Sequence, residues 1–266
     1  MHPNISINTL CFAPCELDEQ IERVARIGVR AITPDLEQVT RLGEKRAMAL
    51  LRDSGLEVAA LTHRAFGFAT PELVIAGHER LLRTIEVGAQ ISAPTIVMTT
   101  GGRGSLCWID ALARFAEAVA PCAHAAKEAG IRLAIEPTSH LYADASIAHR
   151  LADTVQISRA AGVAVAIDLF ACWFDADIEN AIAEAAPNTA LVQVSDFIPG
   201  DRALPCRAIP GDGEIPLDRL LPAIVRGGYR GWFDLEVIGP RLQADGEETG
   251  LRRAVAKVTA ILERAA

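Results

Sequence analysis

Four short runs decide the fold: RLAIE at Arg132–Glu136, VAVAID at Val163–Asp168, ALVQ at Ala190–Gln193 and GWFDLE at Gly231–Glu236. Each is apolar and rich in strand-forming residues, each stops at an oxygen-bearing side chain, and each is followed by a loop and a helical pattern. In a parallel sheet the C-terminal ends of the strands share one edge. If that sheet closes into a barrel, Glu136, Asp168, Gln193 and Glu236 converge on one small volume. Carboxylates that close together repel unless a cation lies among them, so the simplest reading of the cluster is a divalent-metal site.

The same unit repeats outward from these runs. Further strand-like segments are Ile5–Leu10, Ala31–Asp35, Glu57–Thr62 and Thr95–Thr99. Amphipathic helical patterns cover Glu16–Ile27, Val39–Ser54, Pro71–Gly88, Trp108–Ala129, Ser146–Ala161, Ile178–Ala185, Leu217–Arg226 and Glu248–Ala265. Glycines at 28, 55, 88, 130, 162 and 228 punctuate helix ends, where the left-handed cap suits them. Strict alternation of eight such units implies a parallel sheet, and eight strands close a barrel. A doubly wound open sheet is the competitor, but no G-x-G-x-x-G follows the first strand. Without a linker or composition shift, residues 1–266 read as one α/β domain, a single (β/α)8 TIM barrel. Alternation places Ala134 on the inner face with Glu136 and Ala166 with Asp168. The same rule puts Asp234 inside with Glu236, an odd place for an acid. Asp234 is therefore either an acceptor that supports the site from inside or is turned outward by a bulge, with the bulge preferred.

Composition narrows the function classes. Half of the 266 residues are hydrophobic, which argues against disorder, and a formal charge of −8 argues against a surface that tracks nucleic-acid phosphates. No apolar run suits a membrane span, and MHPNISINTL lacks the basic start of a signal peptide, so the cytoplasm is the expected compartment. The cysteines at 11, 15, 107, 122, 172 and 206 show no CxxC pairs and read as free thiols rather than a structural zinc site.

With those strand ends in place, the chain resembles the xylose isomerase-like barrel superfamily of sugar phosphate isomerases, epimerases and endonuclease IV. The segments that carry it are AIEPT around Glu136, AIDLF around Asp168, VQVSDF around Gln193 and Asp196, AIPGDGEIPL from Ala208 and GYRGWFDLEVIG around Glu236. The resemblance implies metal ligands at Glu136, Asp168, Gln193 and Glu236. Gln193 stands where many members have His, and Ala171 where many epimerases have His. A glutamine carbonyl completes an all-oxygen set that suits Mn²⁺ or Mg²⁺, with Co²⁺ and Zn²⁺ as alternatives.

The chemistry implied is proton transfer beside a carbonyl, through an enediolate, in a small polyhydroxylated keto-sugar or keto-cyclitol. Glu136 and Glu236 are the candidate acid–base pair. His63, ending the third strand, is expected to bond a hydroxyl or shuttle a proton. Arg207, His140 and Asn8 are candidate substrate contacts, with Arg207 placed there by the resemblance; Asp196, just beyond Gln193, is a candidate to support the ligands from behind. Trp108, Trp173 and Phe12 are expected to roof the pocket, and TTGGRG at Thr99–Gly104 could cradle an anion with backbone amides. A lyase or dehydratase acting on a keto-cyclitol, dehydroshikimate-like or keto-glycoside substrate is the alternative enzyme. A non-catalytic accessory barrel subunit and a DNA-repair endonuclease rank lower. A small-molecule substrate without nucleic-acid or membrane partners is expected, with homo-oligomerisation open.

Overall fold

The computed structural model describes residues 1–12 and 14–265. Strand and helix alternate as β1 (Ile5–Asn8), α1 (Leu17–Ile27), β2 (Ala31–Thr33), α2 (Leu36–Leu42), α3 (Glu44–Ser54), β3 (Glu57–Val58), β4 (Leu61–Thr62) and α4 (Pro71–Gln90). There follow β5 (Thr95–Met98), α5 (Trp108–Glu128), β6 (Arg132–Ile135), α6 (Leu151–Ala161), β7 (Ala164–Asp168), α7 (Leu169–Cys172) and α8 (Ile178–Ala185). The chain ends with β8 (Thr189–Val194), α9 (Leu217–Arg226), β9 (Phe233–Leu235), α10 (Pro240–Asp245) and α11 (Glu247–Ala265).

All paired strands are parallel, in the order β3-β2-β1-β9-β8-β7-β6-β5-β4. The two ends of this sheet, β3 and β4, are consecutive pieces of one predicted strand, interrupted at Ala59–Ala60. Ala59 N–H still donates to Ile32 O, and Thr62 N–H to Pro34 O, across the break. A parallel bridge between Asp35 and Thr62 completes the ring. The nine segments therefore make a nearly closed eight-position barrel with the helices around it.

Side-chain parity divides the strands into an outer and an inner face. Leu133, Ile135, Val165, Ile167, Val192, Val194, Phe233 and Leu235 join the large core beneath the helices. Their alternates Val97, Ala134, Ala164, Ala166 and Leu191 form a separate small cluster inside the ring, with Ala60 and, partly buried, Trp232. Small residues in the interior leave room above them for the strand-end acids.

Two helices begin elsewhere than the sequence pattern suggests. The pattern at Val39–Ser54 is cut by Gly43, which has φ 91° and ends α2 before α3 starts. The pattern from Ser146 becomes helical only at Leu151. The Ser146 hydroxyl accepts from Ala148 N–H, and Thr100 Oγ1 accepts from Ile147 N–H, which holds this stretch as a loop.

Asp234 is not turned outward by a bulge. The β8–β9 register runs unbroken through Gln193–Asp234, and Asp234 is completely buried in the barrel. Its Oδ1 accepts from Ser6 Oγ at 2.6 Å and Thr33 Oγ1 at 2.7 Å, and its Oδ2 from Asn8 Nδ2 at 3.1 Å. Three donors from β1 and β2 thus offset the cost of burying the acid, and they tie β9 to both strands. Asp234→Ala strands those donors in a dry interior, and chemical denaturation is expected to show a loss of about 3 kcal/mol or more.

Candidate active site

Asp168, Gln193, Glu136 and Glu236 all project from the inner face at the C-terminal end of adjoining strands. Asp168 is the last residue of β7 and also caps α7, accepting from Phe170 N–H at 3.0 Å. Glu136 and Glu236 lie one residue past β6 and β9, and each keeps its amide in the ladder, donating to Met98 O and Val194 O at 3.2 Å. Gln193 Nε2 donates to Glu236 Oε2 at 2.5 Å. The other amide atom, Gln193 Oε1, is buried and has no donor among the described residues.

Arg207 closes the cluster. Its Nη1 and Nη2 donate to Asp168 Oδ1 and Oδ2 at 2.9 and 2.6 Å, a two-pronged contact. Nη1 also lies 3.4 Å from Ser195 Oγ and 3.8 Å from Glu236 Oε2, and the guanidinium stacks 4.8 Å from the centre of the Phe170 ring. Ser195 and Phe170 are contacts the sequence reading missed. Ser195 was findable, being two residues past Gln193 on the same face of the chain.

Asp196 builds the loop that delivers Arg207. Its Oδ1 accepts from Phe197 N–H and Ile215 N–H at 2.8 and 2.9 Å; its Oδ2 accepts from Gly211 N–H and Gly213 N–H at 2.9 and 3.0 Å. Its backbone exchanges two bonds with Ala208, the residue after Arg207. The PGDGEI segment is thus wrapped around one carboxylate, and a Cβ at Gly213 would sit 2.4 Å from Asp196 Oδ1.

Burial dominates the electrostatics. It pushes Glu136 up to about 7, helped by the Asp168 charge and opposed by its bond to Gln193 and by Arg207. Burial likewise holds Glu236 well above the usual carboxylate range, against Arg207. Asp234, below them, is lifted to about 6 by burial, its three donors opposing. Without a further cation, the pair is therefore biased toward holding protons.

The remaining candidates fall elsewhere. The His63 ring is held against α4, on the outer side of the barrel wall, with Nδ1 2.8 Å from Thr84 Oγ1. The Thr84 hydroxyl already donates to Arg80 O, so Nδ1 carries the hydrogen. Burial, with Arg80 adding to it, lowers the His63 pKa to about 3, which keeps the ring neutral. Asn8 spends its amide internally, Nδ2 on Asp234 and Oδ1 on Leu10 N–H. His140 opens an exposed 3₁₀ turn. Trp173 stands beside the site, its ring 6.1 Å from Phe197, which in turn lies 6.1 Å from Phe170. Trp108 starts α5 and packs on the outer core. Phe12 is buried beneath the Arg23 guanidinium, at 4.5 Å, rather than roofing the pocket. In TTGGRG, the Gly101 and Gly102 amides already donate to Ala145 O and Asp144 O, so they do not form a free anion cradle. All six cysteines are unpaired thiols, and no helix among the described residues is long and apolar enough to cross a membrane.

This geometry gives meaning to comparison with known proteins. The sequence model described as xylose isomerase-like TIM barrel matches residues 21–261. The chain belongs to that family. Among solved structures it is similar to a protein from Sinorhizobium meliloti 1021, at 27% identity, 98% coverage of each chain and a TM-score of 0.82. It also resembles D-psicose 3-epimerase from Clostridium cellulolyticum H10, at 15% identity, 98% coverage of both chains and a TM-score of 0.80. The 3-keto-D-glucoside 4-epimerase of E. coli gives 15% identity, 96% and 100% coverage and a TM-score of 0.78. Comparison with curated proteins produced no match.

Two observations bear on whether the site suits the divalent cation this family resemblance implies. The donor set is all oxygen, and the orphaned Gln193 Oε1 is a buried acceptor awaiting a positive partner. As the side chain lies, it is Nε2 that faces Glu236; turning the amide over would give up that bond and present Oε1 to the carboxylates, where a cation would be its partner. In the arrangement seen, no three His, Cys, Asp or Glu side chains among the described residues are grouped closely enough to hold an ion, and Arg207 occupies both oxygens of Asp168. The donor chemistry fits; Asp168 is meanwhile committed to arginine.

Two outcomes follow. Asp196→Ala, which leaves four amides unpaired, is expected to cost about 3 kcal/mol or more in denaturant unfolding, and Gly213→Ala is expected to destabilise the same loop. A raised carboxylate contributes stability below its unfolded pKa and loses it as pH rises through the folded value. Metal-free protein should therefore lose stability between pH 4.5 and about 7 on account of Glu136, and melting curves of Glu136→Gln should be flatter over that window.

Proposed function

We propose that this chain is a divalent-metal-dependent isomerase or epimerase that moves a proton beside the carbonyl of a small keto-sugar or keto-cyclitol. The observation that carries this reading is the placement of Glu136 and Glu236 at the inner ends of β6 and β9, with β7 and β8 between them. The likeness to solved sugar epimerases supports it at the level of fold.

Glu136, Asp168, Gln193 through Oε1, and Glu236 would hold the cation. When bound, Mn²⁺ or Mg²⁺ supplies Lewis acidity toward the substrate carbonyl and offsets the negative charge of the three acids. The rest falls to the chain's own side chains. An ionised glutamate oxygen takes the proton from the carbon beside the carbonyl, and the bond electrons flow to the carbonyl oxygen to give an enediolate. The Arg207 guanidinium, fixed by the Asp196 loop, is the nearby donor array for that developing charge. Return of a proton by the second glutamate to the opposite face inverts the centre. Return to the neighbouring carbon interconverts ketose and aldose. Phe170, Trp173 and Phe197 form an aromatic wall that excludes water on one side. His63, neutral and held against α4, positions the strand rather than transferring the proton.

The test is a screen of Mn²⁺-loaded protein against keto-sugars and inososes in D₂O, followed by NMR. Deuterium is expected at the carbon beside the carbonyl. Glu136→Gln and Glu236→Gln are each expected to lower kcat by about a thousandfold, while His63→Asn stays within about tenfold. Exchange that survives loss of both glutamates removes them as the acid–base pair. A conjugated enone absorbing in the ultraviolet would assign the site to elimination instead. Turnover without any exchange would point to direct hydride transfer between carbons.

A further inference from the structure

Arg207 stands where it conflicts with the proposed cation. Its two terminal nitrogens take Oδ1 and Oδ2 of Asp168, and Oδ1 also accepts from Phe170 N–H. Oδ1 thus accepts two hydrogen bonds and Oδ2 one, so the guanidinium holds the side of the carboxylate that a chelated cation would need. Asp168 is nevertheless one of the four oxygen donors that face the interior. Glu136, Asp168 and Glu236 carry three negative charges when ionised, and Arg207 offsets one. The remaining two match a divalent cation, so the charges of both cations are compatible, whereas their shared claim on Asp168 is not.

We infer that Arg207 is a built-in competitor for the metal: in the metal-free chain it closes on Asp168, and cation binding requires that fork to open. The inference rests on the metal-dependent reading above and adds a coupling to it. Alternative seats for the released guanidinium are present. Ser195 Oγ lies 3.4 Å from Nη1, and the Phe170 ring lies beneath the guanidinium, its centre 4.8 Å away. The backbone need not move, because Asp196 fixes the loop on either side of Ala208. Once off Asp168, the same donors are free for the oxygens of a hydroxy-ketone. Substrate that engages Arg207 therefore favours cation binding, and cation favours substrate, by the same factor.

The experiment titrates chelator-stripped, full-length protein with Mn²⁺ by calorimetry, with Mn²⁺ electron paramagnetic resonance as a second readout. Wild type is compared with Arg207→Met and Arg207→Lys. Arg207→Lys is the decisive variant, since it keeps the charge but loses the planar double contact. Arg207→Met is expected to bind Mn²⁺ about tenfold more tightly than wild type, within the usual range of such couplings. Arg207→Lys is expected to bind about threefold more tightly, because one contact remains to be broken rather than two. Metal-free melting of each protein confirms folding, and the rise in Tm on adding Mn²⁺ should be larger for both variants than for wild type. Wild-type binding with no tightening in Arg207→Lys would reduce Arg207 to a bystander charge and overturn the competition, leaving the metal reading intact. If none of the folded proteins binds Mn²⁺, both the competition and the metal reading fall.

Discussion

Burying acid is the constraint around which the rest of this barrel is organised. Glu136, Asp168, Asp234 and Glu236 all face one interior, where the Arg207 guanidinium grips Asp168 and lies near Glu236. Each buried carboxylate must find donors or a counter-charge, or else hold a proton. The structure distributes these solutions by height. Deep in the barrel, Asp234 takes three neutral donors from β1 and β2. At the rim, Asp168 takes the arginine and Glu236 takes the Gln193 amide. Glu136, half-buried, is lifted to about 7, near neutrality. The raised carboxylates all follow from one shortage of positive charge in this interior.

The supporting shell shows how far a single side chain can set geometry. Asp196 carries no part of the proposed chemistry, yet four amides of the loop after β8 converge on its two oxygens. The loop has no secondary structure of its own beyond the bridge to Ala208. Its shape is that of a backbone folded around an anion. Arg207 is aimed by this arrangement, since its own amide also donates to Ile238 O beyond β9.

Much of this was legible in the sequence because parity is. Apolar runs ending in Glu136, Asp168, Gln193 and Glu236 announced both the strands and the side of each strand that mattered, and the barrel follows from their number. Parity also explains several misreadings. His63 lies at a strand end like the acids, but it shares a face with Leu61 in the outer core, so it meets α4 rather than the interior. Asp234 looked improbable inside a barrel only because Ser6, Asn8 and Thr33, distant in sequence, could not be seen to supply its donors. The pairing of Arg207 with Asp168 was hidden for a related reason: 39 residues separate them, and nothing local to either specifies the contact. The loop from Ser146 carries a helix-like pattern, and two side-chain hydroxyls override it.

The glycines of the β4 and β5 loops carry a consequence for how the mouth can diversify. Gly67 and Gly101 touch backbone to backbone, so that a Cβ on Gly101 would lie 2.6 Å from Gly67 N, and one on Gly102 would lie 2.6 Å from Asp144 O. This arc of the mouth is made of main chain, and a change of side chain cannot reshape it without prying the loops apart. The arc after β7 and β8 instead carries replaceable aromatic side chains, Phe170, Trp173, Phe174 and Phe197. One jaw is thus an anvil whose profile is inherited with the fold. The other is a set of interchangeable teeth, and new preferences among cognate molecules can arise there by point substitution while the anvil stays the same.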